Sequence, residues 1–286
     1  MKTYPECIPC QVSFALRTAR KAADDDAVVG SLVLRSLELI LSFGLDQPPP
    51  RVAREIGRLV KAETGVRDPY RDEKERQNRV ALELYPHLKR RVERAEDPLR
   101  EALLLAAGGN VIDSIALGER DPLEALEDLG GAFAKDNYGE LRDELEKAKS
   151  LLLVGDNAGE IVMDKILVEE LLKLWPSLEV LYAVRGGPTI NDATMEDAIE
   201  VGMTEVCRVI TTGDDTPGVI LELCSEDFRE VFLQADLILA KGQGNFETLE
   251  EVRDPRLFFL LRAKCPTIIR HIGLTEGAPV LLRAAP

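Results

Sequence analysis

The feature that most constrains this chain is a change of period near Ser150. Downstream of it, short apolar runs recur, each followed by a glycine-containing loop and then a helical stretch. The runs are Leu151–Val154, Val180–Val184, Val206–Ile210, Leu237–Ala240, Leu257–Leu261 and Thr267–Ile269. A strand covered on both faces has no polar side to show, so it reads as a continuous apolar run. Such runs in alternation with helices predict an α/β fold with a Rossmann-like, doubly wound, mostly parallel sheet. Upstream, residues 6 to 148 read almost entirely as helix. Apolar side chains recur there at three- and four-residue spacing in Val29–Leu45, Val52–Val60, Val80–Leu88 and Leu99–Ala107. Pro48–Pro50, Asp68-Pro69 and Asp97-Pro98 mark helix starts, with Asp as the cap and Pro in the first turn. Glu140–Lys149, with alternating charges, predicts an exposed helix. The expected division is an all-helical N-terminal region over residues 1–148 and an α/β domain over 149–286.

Bulk properties narrow the function. Of the 286 residues, 45% are hydrophobic and 30% charged, enough for a sizeable core. The net charge of -15 speaks against nucleic acid as a partner, because neutralising its phosphates takes an excess of Lys and Arg. It does not forbid a local anion site built from helix N-termini and a lysine. No stretch approaches the roughly 18 apolar residues of a membrane span, and the first residues lack the apolar core of a secretory signal. The expected location is the cytoplasm, with no membrane partner, and the sequence fixes no oligomeric state. Five cysteines without an export signal argue against a disulfide framework. Cys7 and Cys10 form a CxxC pair without the further ligands of a closed zinc site. Two thiols at a helix start and a redox or metal role both fit that pair.

In an open α/β sheet, ligands bind outside the carboxyl ends of the strands. The loops after the runs are therefore the places to look. Gly155–Glu160 offers the Asp156 carboxylate and the Asn157 amide oxygen, hard ligands that suit Mg²⁺ or Mn²⁺. Arg185–Asp192 brings a second carboxylate, Asp192. Capping of the next helix is the alternative use of both aspartates. Thr211–Gly218 has hydroxyls and backbone N–H groups for an anion, or is a plain surface loop. Lys241–Glu247 places a lysine beside Gly242 and Gly244, where backbone and ammonium can both approach a phosphoryl oxygen. The GxG here lacks the third glycine of a dinucleotide fingerprint, and no P-loop or GxSxG elbow occurs. In the helical half, Lys74 and Asn78 share one helix face and Asn110 and Asp113 another, either as a site wall or as a satisfied polar network. Carboxylates that hold a divalent cation, with a lysine beside them, suit phosphoryl transfer to water.

These motifs, in this order, resemble the damage-control phosphatases, formerly the domain-of-unknown-function-89 family, and most of all their archaeal and bacterial branch. The resemblance runs almost end to end. It covers the early CxxC, DPY…K…N at Asp68–Asn78, GN..D at Asn110 and Asp113, GDNAGE at Gly155–Glu160, RGGP..ND at Arg185–Asp192 and KGQGNFE at Lys241–Glu247. It implies a helical region packed on a Rossmann-like core, and hydrolysis of sugar phosphates or damaged phosphometabolites with Mn²⁺, Co²⁺, Ni²⁺ or Mg²⁺. It implies a metal held by Asp156, Asn157 and Asp192, with Asp156, Lys241 and Glu160 as the catalytic group. Asn110, Asp113, Arg185, Gly242, Lys74 and Asn78 are expected around the substrate. Two other readings stand beside it: an S-adenosylmethionine-dependent carboxyl methyltransferase and a non-catalytic binder of phosphorylated ligands.

Overall fold

The structure, a computed structural model, describes residues 1–109, 111–116, 118, 131–275 and 277–284. Helices open the chain: α1 (Cys7–Ala22), α2 (Asp26–Phe43) and α3 (Pro49–Thr64). Asp25 caps α2 by accepting from the Ala27 N–H, and α3 starts on Pro49, whose missing N–H would have had no helical partner. The three pack on one another through a small core that includes Phe14, Ile40, Val52 and Ile56. Next come α4 (Arg71–Arg94), α5 (Pro98–Gly108) and the short α6 (Val111–Ala116). Asp97 caps α5 as its sequence predicts, accepting from Arg100 N–H at 3.1 Å. Asp68 does not cap α4, which begins three residues later, and it pairs instead with Lys74 at 3.1 Å.

After β1 (Lys135–Asp136) and α7 (Tyr138–Leu145), strands and helices alternate. They are β2 (Ser150–Val154), α8 (Glu160–Leu174), β3 (Glu179–Val184), α9 (Met195–Glu200), β4 (Arg208–Thr211), α10 (Glu226–Gln234), β5 (Leu237–Lys241), α11 (Gly242–Leu249), β6 (Leu257–Arg262), α12 (Pro266–His271) and β7 (Pro279–Arg283). Among the described residues they form one sheet in the order β1-β7-β6-β5-β2-β3-β4. All pairs are parallel except β6 with β7. The mostly parallel α/β sheet is thus as the sequence predicts. Successive residues of each strand face opposite sides: Leu151 and Leu153 join the core under α5 and α8, while Leu152 and Val154 join the core under α10 and α11. Helix α5 packs on α8, β6 and β7, and everything from Ala102 to Gly108 is buried. Burial of its leucines contributes roughly 1.5–3 kcal/mol each, which explains why the helix carries no polar side chain after Glu101.

Three details depart from the sequence reading. Thr267–Ile269 is not a strand but lies within α12, whose first turn opens on Pro266. Its place in the sheet goes to Pro279–Arg283, antiparallel to β6. The fourth strand begins two residues later than the apolar run, because Val206 and Cys207 complete a turn closed by hydrogen bonds to Met203 O. In the helical half, β1 adds an edge strand parallel to β7, and α4, α5 and α7 share the core of the sheet. No helix among the described residues is long and apolar enough to cross a membrane.

Candidate functional site

The connection between strands sets where a ligand can sit. The parallel strands run β6-β5-β2-β3-β4, so the chain winds one way from β2 to β4 and then returns to the other side of β2 at β5. The loops after β2 and β5 therefore diverge to opposite faces and leave a crevice between them, the topological switch point. Asp156 follows β2 and Lys241 ends β5. The two residues singled out from separate sequence motifs lie on the two sides of that crevice. A cleft of about 380 Å³ opens there, lined by Asp156, Asn157, Glu160, Asp192, Lys241 and Gly242 and roofed by α1.

Backbone pairing holds the two acidic loops together. Asn157 and Asp192 form an isolated antiparallel bridge, with Ala158 N–H donating to Asn191 O and Ala193 N–H to Asp156 O, both at 2.8 Å. Neither aspartate caps a helix: the residue before α8 is Gly159, and α9 is capped by Thr194 in a capping box with Asp197. Neither carboxylate is thus spent on a helix cap. The buried Arg185 guanidinium ties them, with Nε donating to Asp192 Oδ2 at 2.6 Å and Nη2 lying 3.7 Å from Asp156 Oδ1. Arg185 stands behind the carboxylates rather than in the wall of the cleft. Ile190, between them, takes φ 42°, which a β-branched side chain adopts only under strain of roughly 1–3 kcal/mol.

On the β5 side, Gly242 has φ +77°. A Cβ there would stand 1.9 Å from Asp156 Oδ2, so the carboxylate rests directly on the glycine. Asn245, four residues past Lys241, donates to Lys241 O at 2.6 Å and Gly155 O at 3.0 Å and accepts from Arg185 at 3.2 Å. It stitches β5, β2 and β3 behind the site. The Lys241 side chain is 1% exposed, and its Nζ lies 2.8 Å from Asp164 Oδ1 and 3.7 Å from Glu160 Oε2. It makes no hydrogen bond of ordinary geometry there, so the ammonium is ion-paired yet keeps donor capacity. Asp164 is held in turn by the Tyr182 hydroxyl at 2.7 Å.

The electrostatics follow from crowding acids into a dry place. Burial pushes Asp156 upward and the Asp192 charge adds to it, with Arg185 and Lys241 pulling back. Burial also raises Asp192, against Arg185. Glu160 is pushed up to about 7 by burial, opposed by Lys241. Burial works against the charge on Lys241, but Asp164 and Glu160 outweigh it and its pKa is raised. Carboxylates that resist ionisation are a cation site in waiting. Among the described residues no three Cys, His, Asp or Glu side chains converge to hold a metal by themselves. Asp156, Asp192 and the Asn157 amide are what the cleft offers. Asn157 spends its Nδ2 on Asp156 and Glu160, each at 3.1 Å, and its Oδ1 has no hydrogen bond among the described residues. Two carboxylates and an amide oxygen fit a hard divalent cation that keeps part of its water shell.

The remaining expected residues are placed otherwise. Lys74 and Asn78 share a face of α4, but both are buried behind the cleft. Lys74 Nζ lies 3.0 Å from Asp197 Oδ2, and Asn78 donates to Asp197 and accepts from Gly159 N–H at 2.8 Å. Asn78 thereby holds the start of α8, next to Glu160, while Lys74 holds Asp197 in the first turn of α9. Asn110 and the Asp113 side chain lie outside the described residues. Of the loop Thr211–Gly218, only Pro217 reaches the cleft. Asp214 and Asp215 instead receive Arg54, Arg58 and Lys61, which dock α3, and α1 with it, over the strand ends. Sequence reasoning missed Asp164, Asn245 and Tyr182. Asp164 carried a signal: it is an acid directly after the apolar stretch Ile161–Met163, one turn past Glu160 and so on the same helix face.

Comparison with known proteins agrees with this architecture. The profile of the damage-control phosphatase ARMT1-like domain matches residues 3–280. The chain is 35% identical over 289 residues to a protein of Pyrococcus horikoshii named damage-control phosphatase, covering 99% of this chain and 98% of that one. It is 32% identical over 283 residues to a damage-control phosphatase of Archaeoglobus fulgidus, covering 97% of each. The crystal structure of a DUF89 family protein from Pyrococcus horikoshii superposes with a TM-score of 0.92 at 34% identity, over 99% of both chains. A match across nearly the whole length, in sequence and in fold, places this chain in the ARMT1-like damage-control phosphatase family.

Proposed function

We propose that this protein is a divalent-metal-dependent phosphomonoesterase acting on small phosphorylated metabolites. The observation that carries the reading is the pairing, across the switch point, of an acidic pair after β2 and β3 with a sealed lysine at the end of β5. Membership of a family whose relatives bear the name phosphatase supports it. Asp156, Asn157 and Asp192 would hold the cation, with Mn²⁺, Co²⁺, Ni²⁺ or Mg²⁺ as candidates. Once bound, the cation supplies positive charge to the phosphoryl oxygens and a site for activating water. Lys241 adds a fixed positive charge beside the transferring group, where low dielectric strengthens it. Glu160, with its pKa near 7, is poised to hold or release a proton at neutral pH. Arg185 and Asn245 keep the two sides of the crevice in register.

The test is phosphate release from a panel of sugar phosphates and an aryl phosphate, in EDTA and with each metal added. The expected result is release that requires metal and disappears in Asp156→Ala and Asp192→Ala. Release unaffected by chelation, or methyl transfer from S-adenosylmethionine with no phosphate release under any metal, overturns the reading.

A further inference from the structure

Helix α1 presents one face to the cleft: Cys7, Cys10, Gln11, Phe14 and Arg17 all line it, at the three- and four-residue spacing of a helix stripe. Gln11 differs from its neighbours on that stripe. It is 5% exposed, and both its Oε1 and its Nε2 are sealed from water with no hydrogen-bond partner among the described residues. A buried carboxamide left wholly unpaired costs folding free energy, and native structures rarely tolerate it without a use. Among the described residues, the other side-chain atoms so sealed and without an ordinary hydrogen bond are Asp164 Oδ1, Arg185 Nη2 and Lys241 Nζ, and all three belong to the site already described. Lys241 and Gln11 line the same cleft, one at its floor on β5 and the other in its roof on α1.

We infer that Gln11 is a specificity-determining residue that recognises the hydroxyl-bearing part of the substrate while its phosphoryl group lies between Asp156 and Lys241. This rests on the phosphomonoesterase reading above. A carboxamide offers two donors and one acceptor and carries no charge. Its complement is a neutral group that both donates and accepts, which a hydroxyl or a vicinal pair of hydroxyls does. A second phosphate or a carboxylate would satisfy the Nε2 donors and leave Oε1 unpaired. An apolar aryl group would satisfy neither atom. The cleft, at about 380 Å³, falls at the small end of the roughly 300–1,000 Å³ typical of ligand sites, as a single phosphorylated polyol requires. Gln11 and Lys241 are sealed alike, so ligand entry shifts side chains of roof and floor together.

The experiment compares the wild type with Gln11→Met, which keeps length and removes both polar atoms. Two readouts are taken: the ratio of kcat/KM for a hydroxylated phosphate, such as glycerol or hexose phosphate, to that for phenyl phosphate, and the ligand-free melting temperature. The inference expects the ratio to fall about tenfold or more, chiefly through KM of the hydroxylated substrate, and the melting temperature to hold or rise. A ratio unchanged within threefold, or a fall in melting temperature with both substrates losing activity together, overturns it. If the wild type hydrolyses neither phosphate, the phosphatase reading fails by itself. Calorimetric binding of glycerol phosphate and phenyl phosphate to the same two proteins then decides on Gln11: selective weakening of the hydroxylated ligand supports the assignment, and equal affinities refute it.

Discussion

Replacing Gly242 by alanine separates backbone strain from displacement of the site. Gly242 has φ +77°, where any side chain costs roughly 1–2 kcal/mol. Its new Cβ would also stand 1.9 Å from Asp156 Oδ2, against 3.4 Å at which ordinary contact begins, so the carboxylate must retreat by about 1.5 Å. Asp156 has little room to do so with Asn157 at 3.1 Å and Arg185 behind it. A misplacement of about 1 Å can cost on the order of 10²-fold in rate. Gly242→Ala should therefore lose about 100-fold in metal-activated kcat/KM while melting only a few degrees lower. Gly65 supplies the control: it ends α3 with φ +73° and nothing lies within 4 Å of its Cβ position. Gly65→Ala should lose about the same stability and no activity. Steady-state phosphate release and thermal melts on both variants check this. Activity of Gly242→Ala within threefold of wild type, or equal losses in the two variants, would refute the packing of Asp156 on Gly242 as the source of its position.

Other outcomes follow from the same geometry. Asp164→Ala should destabilise by roughly 3–5 kcal/mol, because it leaves Lys241 charged and buried without its closest partner; chemical denaturation measures this, and a change below 1 kcal/mol would count against the pair. Glu160 and Asp156 have raised pKa values, so the folded chain binds more protons than the unfolded one between about 4 and about 7. Their contribution to stability is full below the ordinary carboxylate range and is lost as pH rises through about 7. Chelated protein should thus lose stability from these two groups across that window, and Mn²⁺ or Mg²⁺ should restore it at pH 8. Melts with and without metal at pH 5 and 8 test the sign. Leu105→Ala, at a fully buried position of α5, should cost roughly 2–5 kcal/mol by urea unfolding while turnover per folded molecule stays unchanged.

Much of the site was legible because its residues sit in short motifs at strand mouths. Asp156, Asn157, Glu160, Asp192, Lys241 and Gly242 all meet in one cleft. Lys74 and Asn78 were legible as a shared helix face but not as to what they face, since sequence spacing cannot distinguish a ligand from Asp197 and the Gly159 backbone. Asn245 reads as a loop residue, and only the tertiary structure reveals that it spans three strands. In the fold, six apolar runs were read and five are strands. Thr267–Ile269 failed because three residues after a proline carry no period, and helix and strand both accept them. The last strand begins with a proline, a residue that cannot donate to a sheet ladder.

The pairing of Lys135 with Val280 makes completion of the sheet a late event in the life of each chain. Roughly 145 residues separate the partners, so at about 5–20 residues per second the ribosome needs some 7–30 s to supply the second after the first. During that interval α5, apolar in every residue after Glu101, lacks β6 and β7, on which it packs in the finished molecule. The nascent chain therefore carries a greasy helix in search of a surface, and the stretch most open to capture by a chaperone, or to clumping under rapid expression, is Leu99–Ala107, whose last two residues line the cleft in the finished molecule.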